Sequence, residues 1–489
     1  MMTSNLPSKA VHLREQHPSF RYESFRVTST NNSLELQYHF SIAPEISFKP
    51  TLNLPLMQSG SGERLAADPL VNRLVFLIGM VELLSYWKTC CSPTIEVAAG
   101  PLSQNELVFW ERLIRNGLGE FFYTNQISPN IDFTIRANPG EEVAGHSGDG
   151  LLSTNPDSVM VLVGGGKDSI LTLELLREYA SGRKMDLTAF ALNPITASLN
   201  SIQAAGYSPP LIATRQIDPL LRDLNSRGYL NGHTPFSALL AFVSSLVAYI
   251  NGHRYVLASN EASASEGNVK FHEIDINHQY SKSFEFESLF REYARNSRIP
   301  VEYLSFLRPV NELQICALFS DIPDQHLVFR SCNREQTLAA RNRAKNGGAS
   351  GSAPNRSGWC ADCPKCVFTY LCLSCFLPQS ELIEIFGADP SAQANFSNLV
   401  AELAGLSEHK PFECVGTYEE VLACLRYLSD NSLPRRETAL AFKALLFSSS
   451  IKDSKNISEL LSAWNNKHFL PSSLEKVLKD ALSRIRLAS

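Results

Sequence analysis

The residues Val159-Met-Val-Leu-Val163 form an unbroken apolar run. It passes directly into Gly164-Gly165-Gly166-Lys167-Asp168-Ser169 and then into a helical pattern over Asp168–Ala180. An apolar run without alternation suits a strand buried on both faces, as parallel strands inside an α/β sheet are. Three successive glycines allow an anion to approach the backbone closely. The helix that follows adds free N–H groups and the positive end of its dipole. Strand, glycine turn and helix together predict a phosphate-holding turn. The competing reading is a packed strand–helix turn without a ligand.

The same alternation continues downstream. Leu187–Leu192, Leu211–Ile217 and Arg254–Ser259 read as strands, with helices over Ser198–Gly206 and Phe236–Asn251. This predicts an α/β fold with a doubly wound parallel sheet. A chain of 489 residues suggests about two to four domains. Residues 1–150 read as an α+β N-terminal region without an assigned role. Leu34, Leu36, Tyr38 and Phe40 alternate as in a half-buried strand, and Val71–Trp87 and Gln104–Leu118 have helical periodicity. Residues 151–330 read as a nucleotide-binding core, and 331–489 as a cysteine cluster followed by a mostly helical region. Asn138–Ser158 and Asn333–Gly358 are expected to be loops, and Ser448–Asp453 and Pro471–Ser473 turns in the helical tail.

Composition narrows the partners. Apolar residues make up 44% of the chain, enough for real cores. Lys plus Arg number 44 against 49 Asp plus Glu, which favours neither a nucleic-acid coat nor a membrane-surface protein. The apolar stretches Leu74–Leu84 and Leu239–Ile250 fall short of the ~20 residues of a spanning helix. Met1–Phe20 lacks the pattern of a signal peptide. The expectation is a cytoplasmic protein with no nucleic-acid or membrane partner. Three of the eleven cysteines stand in Cys360-Ala-Asp-Cys363-Pro-Lys-Cys366, a spacing that favours metal binding over disulfides. With Cys332 they make four thiolates, which suit tetrahedral Zn²⁺. Redox thiols or free cysteines are the other readings. Cys372 and Cys375 lie in an apolar run and are expected to pack in a core.

The glycine turn is neither a Walker A loop nor a dinucleotide fingerprint. Val161 stands where Walker A has its first glycine and Asp168 where it has Ser or Thr, while Ser169 replaces the last fingerprint glycine. GGGKDS resembles the SGGxDS loop of the PP-loop ATP pyrophosphatases, with Gly164 in place of the leading serine. That resemblance implies that Gly164, Gly165, Gly166, Lys167, Asp168 and Ser169 bind ATP. Asp168 would lie near Mg²⁺ and phosphate, Ser169 would donate to phosphate, and AMP would be transferred as diphosphate leaves.

Further segments narrow the resemblance: Leu230-Asn-Gly-His-Thr-Pro235, Ser259–Asn268, Asn277–Glu287, Phe306-Leu-Arg-Pro309, Ser331-Cys-Asn333, Trp359–Cys366 and Lys410-Pro-Phe-Glu-Cys-Val-Gly416. In this order they resemble the ATP-dependent UDP-N-acetylmuramoyl-L-alanyl-L-glutamate epimerases of the MurL type, over roughly residues 160–416. The resemblance implies inversion of the terminal L-Glu of UDP-MurNAc-L-Ala-L-Glu to D-Glu, with ATP cleaved to AMP and diphosphate. Chemically, adenylation removes the negative charge that keeps the α-proton of a carboxylate inert, so a modest base can take it and a second group can return one to the other face. Candidate acid/base residues are His233, Glu261, His278 and Lys282, with Glu285 beside them. Arg308 and Glu266 are candidate substrate-binding residues. Each has a plainer reading: a cap for His233, a turn for Glu266-Gly267, a solvated strand face for Glu285 and Glu287, a surface charge for Lys282. The zinc ligands also resemble those of the 7-cyano-7-deazaguanine synthases, although the gap between Cys332 and Cys360 is longer here. Another PP-loop adenylating enzyme (an amide ligase, or a deazaguanine- or tRNA-modifying type) and a non-catalytic nucleotide-binding module are the alternatives.

Overall fold

The computed structural model describes residues 6–140, 154–332, 334, 358–407, 409–431 and 455–486. Its strands are β1 Ser19–Ser29, β2 Ser33–Ile42, β3 Ile46–Phe48, β4 Thr51–Pro55, β5 Thr94–Leu102, β6 Thr134–Pro139, β7 Asn155–Leu162, β8 Asp186–Leu192, β9 Leu211–Gln216, β10 His253–Ala258, β11 Val269–Phe271, β12 Ile274–Ile276 and β13 Glu302–Ser305. Eleven of them make one mixed, mostly parallel sheet in the order β13-β10-β7-β8-β9-β4-β2-β1-β5-β6, with β3 paired to β2. β11 and β12 form a separate hairpin.

Strand β7 shows why the sheet forms. Val159, Val161 and Val163 point to one face, where they join Leu171, Leu257 and the C-terminal helix residues Leu474 and Leu478. Met160 and Leu162 point to the other, among Phe242, Leu246 and Val247. Strand side chains alternate between faces, so a strand covered on both sides must be apolar throughout. Burying each such side chain contributes roughly 1.5–3 kcal/mol.

Within the parallel part, the chain leaves β7 for β8 and β9 on one side and returns to β10 and β13 on the other. The connections therefore diverge at the carboxyl ends of β7 and β10, which opens a crevice there. The expected strands and helices of this region all form, with ends shifted by a few residues.

The N-terminal region is continuous with this sheet, because β4 pairs antiparallel with β9. Its helix Pro69–Glu82 is started by Asp68, whose carboxylate accepts from Leu70 N and Val71 N. Within Pro69–Trp87 it is long and apolar enough to cross a membrane, but 83% of that window is buried inside the fold. The charge in this stretch is matched. Glu82 receives a two-pronged guanidinium from Arg215, at 2.8 and 3.0 Å.

Three expectations need correction or placing. Glu285 and Glu287 do not form a solvated strand face. They occupy the first turn of the helix Phe284–Asn296, where acidic residues match the helix dipole, and Glu287 is buried. Pro471 precedes the helix Ser472–Leu482 as its N-cap residue, so Pro471–Ser473 is a helix start. Ser448–Asp453 and most of Asn333–Gly358 lie outside the described residues, as does much of the expected loop Asn138–Ser158, whose end instead begins β7.

Candidate active site

The glycine turn sits at the carboxyl end of β7. Gly165 has φ +87°, and a Cβ there would lie 2.7 Å from Ser198 N, so both conformation and space require glycine. Gly166 precedes the helix Lys167–Ala180 in extended conformation and offers no side-chain cap. The first N–H groups of that helix therefore have no side-chain cap facing them. Ser169 holds the turn together, accepting from Gly165 N at 3.3 Å and donating to Gly166 O at 3.0 Å. Gly164 is exposed with open space around its Cβ position, where the resembling loops carry serine.

Lys167 points inward. Its ammonium is buried against Glu312 and lies 2.5 Å from Asp168 Oδ1. Burial pushes the Glu312 carboxyl up, and the Lys167 ammonium opposes that rise. For Lys167, the carboxylates of Asp168 and Glu312 outweigh burial and hold the pKa well above its ordinary value.

A cleft opens beside this pair. Asp168, Ser259, Glu261, Gln279, Lys282, Lys365 and Cys414 line it together with Lys167, Glu312 and Ser331. Glu261 is fixed as the cap of a short 3₁₀ turn, accepting from Ala264 N at 2.9 Å. Gln279 is 7% exposed, and its Oε1 has no hydrogen-bond partner among the described residues.

Arg308 lies beneath the cleft, fully buried. It donates to Glu261 O at 2.6 Å, to Lys282 O, and to Glu287 Oε2 at 3.3 Å. The carboxylate that it was expected to fork onto is thus an internal one. Its guanidinium ties together two walls of the cleft, at Glu261 and Lys282.

Cys414 was not singled out in the sequence. It enters because Lys410-Pro-Phe-Glu-Cys-Val-Gly416 folds onto the loop before β11 and after β12. Lys410 N donates to Asn268 O at 3.1 Å, its ammonium pairs with Glu266, and Asn268 Nδ2 donates to Pro411 O at 2.8 Å. The side-chain oxygen of Asn268 also accepts from His278 N at 3.0 Å. Lys282 Nζ then donates to Cys414 Sγ at 3.1 Å, and His278 Nε2 lies 3.8 Å from the same sulfur. Burial pushes the Cys414 thiol up, but Lys282 and Lys365 outweigh it and hold the thiol below its ordinary value.

The N-terminal region adds a second flank. The His233 and His278 rings meet edge to face at 6.1 Å. Burial lowers both imidazoles to about 3, helped at His233 by His278 and at His278 by Lys282. His233 Nδ1 lies 3.3 Å from Glu120 Oε2, and the Lys88 ammonium holds Gly232 O. Burial raises Glu120 to about 7. Glu120 and Lys88 carry no motif and lie more than a hundred residues before His233, so only the fold brings them in.

The cysteine cluster adjoins the cleft in sequence, through the lining residues Ser331 and Lys365. The sulfurs of Cys332, Cys360, Cys363 and Cys366 all lie within 4.8 Å of one another. Cys360 and Cys366 are 3.7 Å apart and Cys363 and Cys366 3.4 Å, near the ~3.8 Å edge of a tetrahedron with Zn–S bonds of about 2.3 Å. No disulfide forms among the eleven cysteines. Cys372 and Cys375 are buried in the C-terminal core, with Cys424 3.8 Å from Cys372.

A glycine turn where strand order diverges, joined through Lys167 and Asp168 to a cleft of carboxylates, ammonium groups and a thiol, forms the candidate active site of an α/β fold. The family model described as MurL N-terminal domain matches residues 12–306, and that described as MurL C-terminal domain matches residues 328–456. The chain belongs to the MurL family and is an enzyme of the epimerase class. Similar proteins named UDP-N-acetyl-alpha-D-muramoyl-L-alanyl-L-glutamate epimerase occur in Salinispora tropica, 35% identical over 79% of each chain, and in a Micromonospora species, 34% identical over 79% of this chain and 81% of the other. A third with that name, from Xanthomonas oryzae pv. oryzae, is 29% identical over 86% of this chain and 87% of its own. No solved structure matches the chain.

Proposed function

We propose that this enzyme inverts the terminal L-Glu of UDP-MurNAc-L-Ala-L-Glu to D-Glu for peptidoglycan synthesis, by adenylating a glutamate carboxylate with ATP and releasing AMP and diphosphate. Membership of the MurL family supports the substrate. The observation that carries the ATP-dependent step is the glycine turn at Gly164–Gly166, which lies at a strand-order switch and runs through Lys167 into Asp168, a residue lining the same cleft as Lys282. A doubly wound core of PP-loop type is the fold reading that goes with it.

The α-carboxylate is the chemically sensible one to activate, because only that choice acidifies the proton that must move. The free N–H groups after Gly166 hold the diphosphate portion. Asp168 would hold Mg²⁺, which supplies charge neutralisation at the phosphates. Glu261 and Lys282, locked in place by Arg308, orient the substrate at the cleft. The four-thiolate cluster of Cys332, Cys360, Cys363 and Cys366 fits structural Zn²⁺, and the thiols suit a reducing, cytoplasmic setting. The experiment is incubation with ATP, Mg²⁺ and UDP-MurNAc-L-Ala-L-Glu, followed by acid hydrolysis and measurement of the D/L ratio of glutamate alongside AMP. Appearance of ADP in place of AMP overturns the adenylation reading.

A further inference from the structure

Cys414 stands apart from the four-cysteine cluster and from the buried cysteines of the C-terminal core. It lines the same cleft as Asp168, Gln279 and Lys282. It is half-buried, with its sulfur hydrogen-bonded to an ammonium and close to an imidazole. A thiol in a packed interior has no need of a lysine at 3.1 Å, and burying that ammonium is costly unless an anion faces it. The charged and titratable groups around the sulfur are Lys282, His278, Lys365, Asp168, Glu120 and Glu413. Nearest among them are the cationic Lys282 and the neutral His278. A second observation points to a ligand in the same cleft: Gln279 is more than nine-tenths buried, yet its side-chain oxygen has no partner among the described residues. Such an acceptor fits a donor on a bound molecule.

We infer that Cys414 is a catalytic residue that, as a thiolate, exchanges the α-proton of the activated glutamyl residue on one face. This rests on the proposed epimerisation and names a proton carrier for it. In the step, the Cα–H bond breaks, an S–H bond forms, and the electron pair moves into the activated carbonyl. The pair returns to Cα as it takes a proton from a second acid on the opposite face. The proton on sulfur then exchanges with solvent, which restores the thiolate. Lys282 is a positioning residue that keeps the sulfur ionised.

The test runs wild-type, Cys414→Ala and Cys414→Ser enzymes with ATP, Mg²⁺ and UDP-MurNAc-L-Ala-L-Glu in D₂O. It follows AMP, D-glutamate and deuterium at Cα. Wild-type enzyme is expected to invert with one deuterium incorporated. Both variants are expected to form AMP within about tenfold of wild type while inversion falls at least about a hundredfold, the usual loss on removing a general base. Inversion at the wild-type rate in either variant overturns the assignment. So does joint loss of AMP and inversion, which marks a binding or folding role. If wild-type enzyme inverts without AMP while the variants do not invert, the adenylation reading falls and the assignment of Cys414 stands. A Lys282→Gln variant adds a readout that packing alone would not move. The acidic limb of its rate–pH profile is expected to rise by about one pH unit, and an unmoved limb overturns the role of the thiolate.

Discussion

Arg330 donates its backbone N–H to the carbonyl of Gly165 at 2.8 Å. This bond ties the glycine turn to the segment that carries Ser331 and Cys332, and through Cys332 to the four-thiol cluster. A Cβ on Gly166 would in turn meet Ser331 Oγ at 2.8 Å. Glycine turn and cysteine cluster are therefore one mechanical unit, although nearly two hundred residues separate them.

Loss of metal should accordingly be felt at the nucleotide. Purified protein is expected to hold about one equivalent of zinc by mass spectrometry. Cys363→Ser should lower the zinc content and weaken ATP affinity by roughly tenfold, about 1.4 kcal/mol, in titration calorimetry. A zinc-free wild-type protein with undiminished ATP affinity contradicts the coupling.

Gly165→Ala places a side chain at φ +87° and 2.7 Å from the Ser198 backbone. We expect a loss of about 2–4 kcal/mol of stability, from left-handed strain plus overpacking. Denaturant unfolding reads this directly. Gly164→Ser meets open space and should leave stability within about 0.5 kcal/mol.

Burial raises Glu120 from an ordinary 4.5 to about 7. The folded state thus binds its proton more tightly than the unfolded chain. The stabilisation is full below about pH 4.5 and is lost as pH rises through about 7. Glu120→Gln should remove this dependence. The variant should match wild type near pH 4.5 and exceed it by up to about 3 kcal/mol at pH 8, because 2.5 pH units separate the two pKa values. Equal stability of the two proteins at both pH values would refute the buried-carboxyl account.

Because β4 pairs with β9, a chain beginning at residue 154 would expose β9 as a bare edge and uncover the face bearing Phe242 and Leu246. Exposed edges and apolar faces template aggregation. Size-exclusion chromatography of such a truncation should show aggregate in place of a monomeric core.

The parallel strands and the glycine turn were legible in the sequence because each is local. Val159–Val163 announces its two-sided burial by composition, and the turn announces itself by three glycines. Asp168, Glu261 and Lys282 do share one cleft. Arg308 was recognisable as a fork, but which carboxylate faces it depends on how the helix Phe284–Asn296 packs, and that is a tertiary matter. Glu285 and Glu287 alternate with phenylalanines as a strand would, yet Ser283 caps a helix there by accepting from Phe286 N. Cys414 stood inside a segment that resembled the family, but its partners Lys282 and His278 lie more than 130 residues earlier. Glu120 carried no signal at all, since neither its burial nor its approach to His233 has a local cause.

The cleft gathers its groups from distant stretches of the chain: Lys88 and Glu120 early, the glycine turn and Lys282 midway, Cys414 near the end. Domains generally order from the N-terminus as synthesis proceeds. A ribosome-bound chain that has already shaped the turn still lacks its sulfur, and nothing short of near-complete synthesis assembles the whole constellation. Partial products of translation therefore hold an incomplete cleft.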